Sequence, residues 1–461
     1  MNKVFIYSIL ALVVLKVGAA FFTNFSLYGD EAQYWLWAQE LDFGYYSKPP
    51  LLAWFLSGHT FLFGSSFFSL KMFPLFIYFF IFFAFYKLCL ELNFSKNSSV
   101  VCSVCFLSIP AASVSSFLIS TDLLLLLFWI LAMTALLKIR TDGSLINFIF
   151  LGILLGLAFM AKYAAIYFLL SFLILIFFDN KILLALKENR VRLFVFMLAF
   201  LFVVFPNIYW NINNGWVTLS HTADNTNLQN LDLNIYEPLK FIISQIFMLG
   251  LVLFLSFIYL FSSFRLDFEN KFLLIFSLPI ILIVLMESFL VRANANWAAP
   301  ALISFFILMY RLVEKINIRL IIINFAANCL LCGFLYVSIL TSSSLTIFDR
   351  IRGMDTFLSE IIKTVGDNDL VVTDRILFSS MSYETRNRPN NIYMPFKEGG
   401  IVTNHFQMSS PLAQTRDNNF FLIGSREDVS YLVNENEIKF LKEFDVSFSS
   451  SKLKFYEVTF K

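Results

Sequence analysis

Long apolar runs follow one another along the first three quarters of this chain, and few folds tolerate such a pattern. Of its 461 residues, 59% are hydrophobic and only 14% are charged, whereas soluble domains average about 25% charged residues. A helix needs roughly 20 apolar residues to cross a bilayer. Eleven runs approach that length, at about 3–22, 68–91, 98–118, 121–138, 146–162, 164–178, 191–210, 239–263, 271–290, 298–313 and 318–341. The sequence therefore predicts a polytopic membrane protein, mainly α-helical, with about eleven transmembrane helices.

The first run resembles a signal peptide, because an early lysine precedes a long apolar stretch. Lys16 interrupts that stretch, however, and further hydrophobic segments follow it. We interpret residues 3–22 as a retained first span rather than a cleaved signal.

The basic residues between the runs predict on which side of the membrane each loop lies. Fourteen of the first twenty Lys and Arg residues fall in loops that share a side with the N-terminus. The positive-inside rule places those loops in the cytoplasm. The basic residues at or near the opposite face are Lys48, Lys71, Lys162, Lys240 and Arg292. The outer face therefore also holds the loop 23–67 and everything after residue 341.

The last part of the chain has a different pattern, with short alternating apolar stretches in place of long runs. The segments "DLVVTD", "FFLIGS", "DVSFSS" and "KLKFYEVTF" are typical of strands, and the amphipathic segment "IRGMDTFLSEIIKTV" is typical of a helix. We therefore expect two domains. Residues 1–341 form the membrane domain, and residues 342–461 form a small α/β domain outside the cytoplasm.

The outer loop carries the densest group of charged and aromatic residues, "YGDEAQYWLWAQELDFGYYSKPPLLAW" at 28–54. Asp30 and Glu31 stand at the start of a short predicted helix that lies in the membrane interface, with Trp35 and Trp37 at headgroup level. Carboxylates at that position also cap helices. A purely capping role for Asp30 is therefore the alternative to a catalytic one.

This loop resembles the first outer loop of family 39-type glycosyltransferases, a group that includes protein O-mannosyltransferases and bacterial aminoarabinose and lipid A sugar transferases. Five later segments resemble the family in the same order and on the same side, over most of residues 28–380. They read "STDLLLLLFW", "GLAFMAKYAAIY", "FPNIYWNINNGWVTLSHTADN", "NWAAPAL" and "DRIRGMDTFLSEI". The resemblance implies the GT-C architecture, with many membrane helices, outer-face interfacial helices, an outer-face active site and a polyprenyl-phosphate-sugar donor.

Transfer from such a donor makes two chemical demands. A base must accept the proton of the acceptor hydroxyl, and cations must neutralise the phosphate as the glycosidic bond breaks. The predicted catalytic residues are Asp30, Glu31 and Asp122, with Asp30 as the base and Glu31 orienting the loop or binding a substrate hydroxyl. The predicted substrate-binding residues are Lys48, Tyr46, Lys162, His221, Arg292, Asn296 and Trp297.

Each charged candidate also has a structural alternative. Lys48 and Lys162 could extend to the membrane interface as anchors. Asp122 could cap the helix that starts after Thr121, and Arg292 could pair with Glu287.

No cofactor is predicted. Ser47 stands where the aminoarabinose branch has a glutamate that helps bind a metal, which argues against a divalent metal site of that type. The paired Cys102/Cys105 and Cys329/Cys332 lie within apolar runs without a histidine nearby, so small packing residues are a better interpretation than zinc ligands.

The sequence thus predicts an enzyme of the bacterial inner membrane. It would move one sugar from undecaprenyl phosphate to a periplasmic acceptor, which is a lipid such as lipid A, a surface glycan or a protein, by inverting displacement. The net charge of +2 indicates no nucleic-acid partner. The alternative is a transporter or flippase of lipid-linked sugars, but such proteins show internal repeats and charges near the bilayer midplane, and neither is visible here.

Overall fold

The computed structural model describes residues 2–226, 234–291, 294–387, 391–413, 419–433 and 437–460. Helices make up the chain as far as Leu340. Their bounds are α1 Asn2–Phe22, α2 Glu31–Gln39, α3 Leu51–Phe63, α4 Phe67–Glu91, α5 Lys96–Ser108, α6 Pro110–Ser115, α7 Thr121–Asp142, α8 Leu145–Ala161, α9 Ile166–Phe178, α10 Asn180–Glu188, α11 Arg190–Asn213, α12 Val217–Thr226, α13 Tyr236–Leu249, α14 Leu251–Tyr259, α15 Phe268–Ile275, α16 Leu278–Leu290, α17 Ala299–Ile316 and α18 Ile318–Leu340.

Seven helical segments within these ranges are long and apolar enough to cross a membrane, and two bent helix pairs raise the number to nine. The pairs join 163–178 to α10 at 101° and α13 to α14 at 100°. All eleven predicted runs form helix. The run 98–118 is broken into α5 and α6 at Ile109, whose ψ of 147° is extended, because a residue before proline is disfavoured in the helical region. The run 146–162 forms the 17-residue α8.

The centre of the helical domain is α7, nearly all of which is buried. It packs against α4 and α8, and α8 in turn packs closely on α11. Two glycines of α8 allow that approach. An added Cβ at Gly152 would lie 2.5 Å from the Phe196 carbonyl oxygen, and one at Gly156 would lie 2.8 Å from Cβ of Val203. The Gly-rich segment of the sequence therefore serves helix packing.

The short helix α2 lies between the membrane helices and the C-terminal domain. Trp35 packs edge-to-face on Tyr383, and Trp37 stacks on Tyr45 and meets the ring of His405. Both tryptophans are buried within the protein. Tyr383 and His405 of the C-terminal domain cover them on α2.

The described residues after 341 include five strands and three helices, which confirms the predicted small C-terminal α/β domain. The bounds are α19 Met354–Val365, β1 Asp369–Val372, α20 Arg375–Glu384, β2 Ile392–Tyr393, α21 Phe406–Ser409, β3 Phe420–Ile423, β4 Ile438–Phe444 and β5 Leu453–Val458. The sheet order is β2-β1-β3-β5-β4, with β1 parallel to β2 and β3. The strands β3, β5 and β4 are antiparallel neighbours.

One predicted strand is wrong. "DVSFSS" at 445–450 is a loop, and the strand is the preceding segment β4. In β4 the polar and apolar residues do not alternate simply, because the pairing with β5 shifts between Phe440 and Lys442. A bulge of this kind disrupts the period of two on which strand prediction depends.

Candidate active site

Asp30 lies immediately before α2, but its side chain makes no capping hydrogen bond. Its Oδ1 accepts a hydrogen bond from Nη1 of Arg375 at 2.7 Å, and the same nitrogen donates to Oε1 of Gln33 at 2.7 Å. The Asp30 side chain remains 44% exposed. No described residue is recorded as a partner of Oδ2, so this oxygen is open to a substrate. The geometry thus does not support a purely capping role.

Glu31 is buried, and both of its carboxylate oxygens accept hydrogen bonds. Oε2 accepts from Nζ of Lys71 at 2.5 Å and from the backbone N–H of Tyr28 at 2.7 Å, while Oε1 accepts from the backbone N–H of Ile119 at 2.9 Å. These bonds connect the start of α2 to α4 and to the loop before α7. A carboxylate held in this way positions its neighbours, and it has no free oxygen for a substrate proton.

Asp122 and Lys162 form an ion pair at the end of an apolar cavity. Oδ1 of Asp122 accepts from Nζ of Lys162 at 2.7 Å, and Oδ2 accepts from Nδ2 of Asn296 at 3.0 Å. Asp122 lies in the first turn of α7, Lys162 directly follows α8, and Asn296 precedes α17. Three predicted residues from distant parts of the sequence are therefore in direct contact.

Lys48 lies near this group without joining it. Burial lowers the pKa of the Lys48 ammonium below its ordinary value, the positive charge of Lys162 lowers it further, and the negative charges of Asp122 and Asp30 act in the opposite direction. No hydrogen bond or ion pair of this ammonium is recorded among the described residues. A partly buried cation without a carboxylate partner is a suitable site for an anion.

The remaining predicted residues lie around this centre. Tyr46 donates from its hydroxyl to the Val402 carbonyl at 3.2 Å, and its ring packs on His221 at 4.9 Å. Trp297 packs against the buried cluster around Phe241, which fits a positioning role. Arg292 lies outside the described residues.

Two other histidines are structural. His59 is buried, and its Nε2 contacts the Ser69 carbonyl oxygen at 2.9 Å. Burial lowers the pKa of His405 to about 4, so its ring is neutral at pH 7. The ring packs edge-to-face against the stacked pair of Trp37 and Tyr45.

Three residues near the centre were not singled out from the sequence. Arg375 comes from the C-terminal domain, where one arginine among several carries no distinguishing signal. Lys71 could have been identified from the sequence, because a charged residue inside an apolar run is expected to be paired or functional. Burial raises the pKa of the Tyr34 hydroxyl, and the negative charges of Asp30 and Asp122 raise it further. Tyr34 therefore stays protonated and can donate a hydrogen bond.

An apolar cavity of about 370 Å³ leads to the Asp122 end of this group. Its walls come from α4, α5, α6, α7, α13, α17 and the loop between α6 and α7, and they include Phe106, Leu118, Leu126 and Leu302. Asp122 and Asn296 are among the few polar residues that line it. The cavity can hold a hydrocarbon chain whose polar end meets the charged residues.

A metal site is not assembled among the residues that the structure describes, since no group of three or more His, Cys, Asp or Glu side chains is placed to bind one ion. The five cysteines are unpaired and lie in the helical domain. Ser47 has no carboxylate to offer at the position where the family resemblance implied a ligand.

Comparison with known proteins places the chain among membrane glycosyltransferases. Residues 47–210 match the family model of dolichyl-phosphate-mannose-protein mannosyltransferases. The chain is 25% identical over 385 residues to the lipid A galacturonosyltransferase RgtD of Rhizobium johnstonii, covering 79% of each chain. Crystal structures of ArnT from Cupriavidus metallidurans, in the apo state and bound to undecaprenyl phosphate, match with a TM-score of 0.70 at 11% identity, over 98% of this chain and 97% of ArnT. The predicted enzyme class and the GT-C fold are confirmed.

Proposed function

We propose that this chain, a multi-pass membrane glycosyltransferase of GT-C type, transfers one sugar from a polyprenyl-phosphate donor to an acceptor hydroxyl by inverting displacement. The observation that carries the proposal is the Asp122–Lys162–Asn296 group at the end of an apolar cavity. Lys48, which has no ion-pair partner within the described part of the chain, is near enough to feel the charges of Asp122 and Lys162. A polyprenyl phosphate combines a hydrocarbon chain with an anionic end. The cavity and the two lysines match those two parts.

The lysines act on the leaving group. As the bond between the anomeric carbon and the phosphate oxygen breaks, the electron pair and its negative charge pass to the phosphate. Lys48 and Lys162 neutralise that charge, which lowers the barrier in a site shielded from water. Asp122 holds Lys162 in place through its 2.7 Å contact, and Asn296 holds Asp122. Asp122 is therefore a positioning residue in this mechanism.

Asp30 is better placed than Asp122 to act as the general base. Both oxygens of Asp122 accept hydrogen bonds from protein groups, whereas only Oδ1 of Asp30 does so among the described residues. The acceptor oxygen attacks the anomeric carbon from the face opposite the phosphate, and its proton passes to Oδ2 of Asp30. Arg375 orients the carboxylate from the other side.

Relatives favour a lipid acceptor and an undecaprenyl donor. RgtD acts on lipid A according to its name, and ArnT was crystallised with undecaprenyl phosphate. A surface glycan or a protein remains the alternative acceptor.

Transfer to a purified lipid acceptor, measured by mass spectrometry with the enzyme in liposomes and polyprenyl-phosphate-sugar as donor, tests the proposal. Turnover of the donor without any glycosylated lipid would exclude a lipid acceptor.

The Lys48→Met variant is expected to weaken donor use. A charge-assisted hydrogen bond contributes about 1.5–3 kcal/mol, so KM for the donor should rise roughly 10- to 100-fold while the protein stays folded. Steady-state kinetics against donor concentration provide the measurement. Lys240→Met, which removes an exposed lysine of α13, is the matched control. Unchanged donor KM in Lys48→Met would place the phosphate elsewhere.

The active site is proposed to face the periplasm from the bacterial inner membrane. A reporter enzyme that is active only after export, fused after residue 345, is expected to be active, because the basic loops favour the cytoplasmic side. The same reporter fused after Glu188, in a basic loop predicted to be cytoplasmic, should be silent. A reversed pattern would overturn the proposed sidedness.

A further inference from the structure

We infer that the acceptor binds where the C-terminal domain meets the ends of the membrane helices, at a site with two parts suited to a phosphorylated glycolipid. This inference rests on the proposed glycosyl transfer. A polar crevice takes the phosphorylated sugar headgroup, and an apolar pocket at the membrane boundary takes an acyl chain. The Tyr28–Gly29 segment lies where the two meet, next to Asp30.

The crevice, of about 810 Å³, lies at the carboxyl ends of the parallel strands β1 and β3. The chain leaves β1 toward β2 on one side, and it leaves β3 toward β4 and β5 on the other. Open α/β sheets bind ligands where the strand order reverses in this way, because the loops after the two strands diverge there. Thr373 follows β1 and Gly424 follows β3, and both line the crevice.

A glycine is needed at the base of the crevice. Gly424 has a φ of +131°, and an added Cβ would lie 1.9 Å from Oγ1 of Thr373. Both the backbone conformation and the close approach exclude a side chain. The loops after β1 and β3 therefore contact each other at Thr373 and Gly424. Farther from the strands the two loops diverge, and the crevice lies between them.

The crevice carries more positive than negative charge. Four basic side chains line it, against Asp374 and Glu427. The carboxylate of Asp374 is engaged by the backbone N–H groups of Ile376 and Leu377 at the start of α20. Among the basic residues, Arg426 and Lys454 are exposed and have no carboxylate partner recorded in the described part of the chain. Unpaired arginine and lysine side chains bind phosphate well.

The apolar pocket, of about 280 Å³, lies beside the crevice. It is lined by Tyr28 and Ile351, and the crevice by their neighbours Gly29 and Arg350. Arg350 contacts the Tyr28 hydroxyl at 3.5 Å, at the boundary between the two. The pocket lies at the ends of α1 and α18, where Phe348 and Ile339 contribute to its wall. An amphiphile can therefore place its head in the crevice and its chain in the pocket.

The arrangement also separates the two lipids of the reaction. Val114 and Leu118 line both the apolar pocket and the cavity that leads to Asp122, so the segment that contains them is a shared wall. The donor chain would lie on one side of it and the acceptor chain on the other. Both polar ends then point toward Asp30, whose neighbour Gly29 lines the crevice.

The test measures binding of three probes to full-length protein in phosphatidylcholine nanodiscs. The probes are an acylated disaccharide phosphate, its deacylated water-soluble form, and the acylated disaccharide without phosphate. In the wild type, we expect the first probe to bind most tightly. Loss of the phosphate or of the acyl chains should each weaken binding roughly 10-fold or more.

Two variants test the two parts separately. Charge reversal at exposed positions, Arg426→Glu with Lys454→Glu, should weaken both phosphorylated probes at least about 10-fold. Lys363→Glu is the control for each of the two reversals taken singly, because this exposed lysine of α19 makes the same two-unit charge change outside the crevice. Ile347→Glu, at a 60% exposed position lining the apolar pocket, should weaken the acylated phosphate probe and leave the deacylated one unchanged.

Unchanged binding of the phosphorylated probes after the double charge reversal would overturn the assignment of the crevice. Equal affinity of the wild type for the acylated and deacylated probes would overturn the assignment of the apolar pocket. Binding of polyprenyl phosphate, measured on the same samples, separates this inference from the proposed function. If the wild type does not bind polyprenyl phosphate, the transfer mechanism is refuted. The affinities for the three acceptor probes test the acceptor site independently of that result.

Discussion

The Asp30→Asn variant is expected to fold, to bind the donor and to transfer sugar to a hydroxyl acceptor about 100 to 10,000 times more slowly than the wild type, which is the usual cost of losing a general base. Asparagine keeps the size of the side chain and can still accept the hydrogen bond from Arg375 at 2.7 Å. It cannot take up a proton at neutral pH. The fall should therefore appear in kcat, measured under saturating donor and acceptor.

The control for this variant is Glu40→Gln, which neutralises an exposed carboxylate at the end of the same helix. It should keep near-normal turnover. The acceptor also provides an internal test, because an acceptor that is already an anion needs no base. With a phosphate oxygen as the attacking group, Asp30→Asn should lose much less activity. Near-normal transfer by folded Asp30→Asn to a hydroxyl acceptor would remove Asp30 from the mechanism.

The second large effect concerns stability. Glu31→Ala is expected to destabilise the folded protein by about 3–5 kcal/mol, because removal of one partner from a buried ion pair leaves the other charge uncompensated. The side chains of Lys71 and Glu31 are 3% and 2% exposed, and their charged atoms are 2.5 Å apart. The variant also leaves the N–H of Ile119 without its acceptor. The fraction of folded protein that remains after heating in detergent, measured by size-exclusion chromatography, reports the change.

The double variant Glu31→Met with Lys71→Met separates structure from catalysis. Replacing both charges by apolar groups of similar size is often neutral or stabilising, so much of the lost stability should return. If Glu31 only positions α2, the folded double variant should retain measurable transfer. A double variant that is as stable as the wild type but as inactive as Asp30→Asn would show that Glu31 takes part in the chemistry.

The structure brings predicted site residues together where a local feature marked them. Asp122 at the start of an apolar run and Lys162 between two runs are charges at helix ends, and the structure joins them at 2.7 Å. The sequence assigned different roles to Asp30 and Glu31, but adjacent carboxylates at one helix start have nearly identical local sequence, so it did not reveal the partners of either. Their difference arises from distant partners, which are Arg375 for Asp30 and Lys71 for Glu31.

Local patterns were sufficient for the membrane helices, for the presence of a small α/β domain and for the concentration of charged residues in the loop 23–67. Hydrophobic period and charge placement act over a few turns of chain, so they can be read directly from the residues. Long-range packing decided the rest. Arg375 is 345 residues from Asp30 in sequence, and Trp35 is buried because Tyr383 of another domain covers it. No local pattern encodes such contacts, since they exist only once the C-terminal domain has folded onto α2 and enclosed the site.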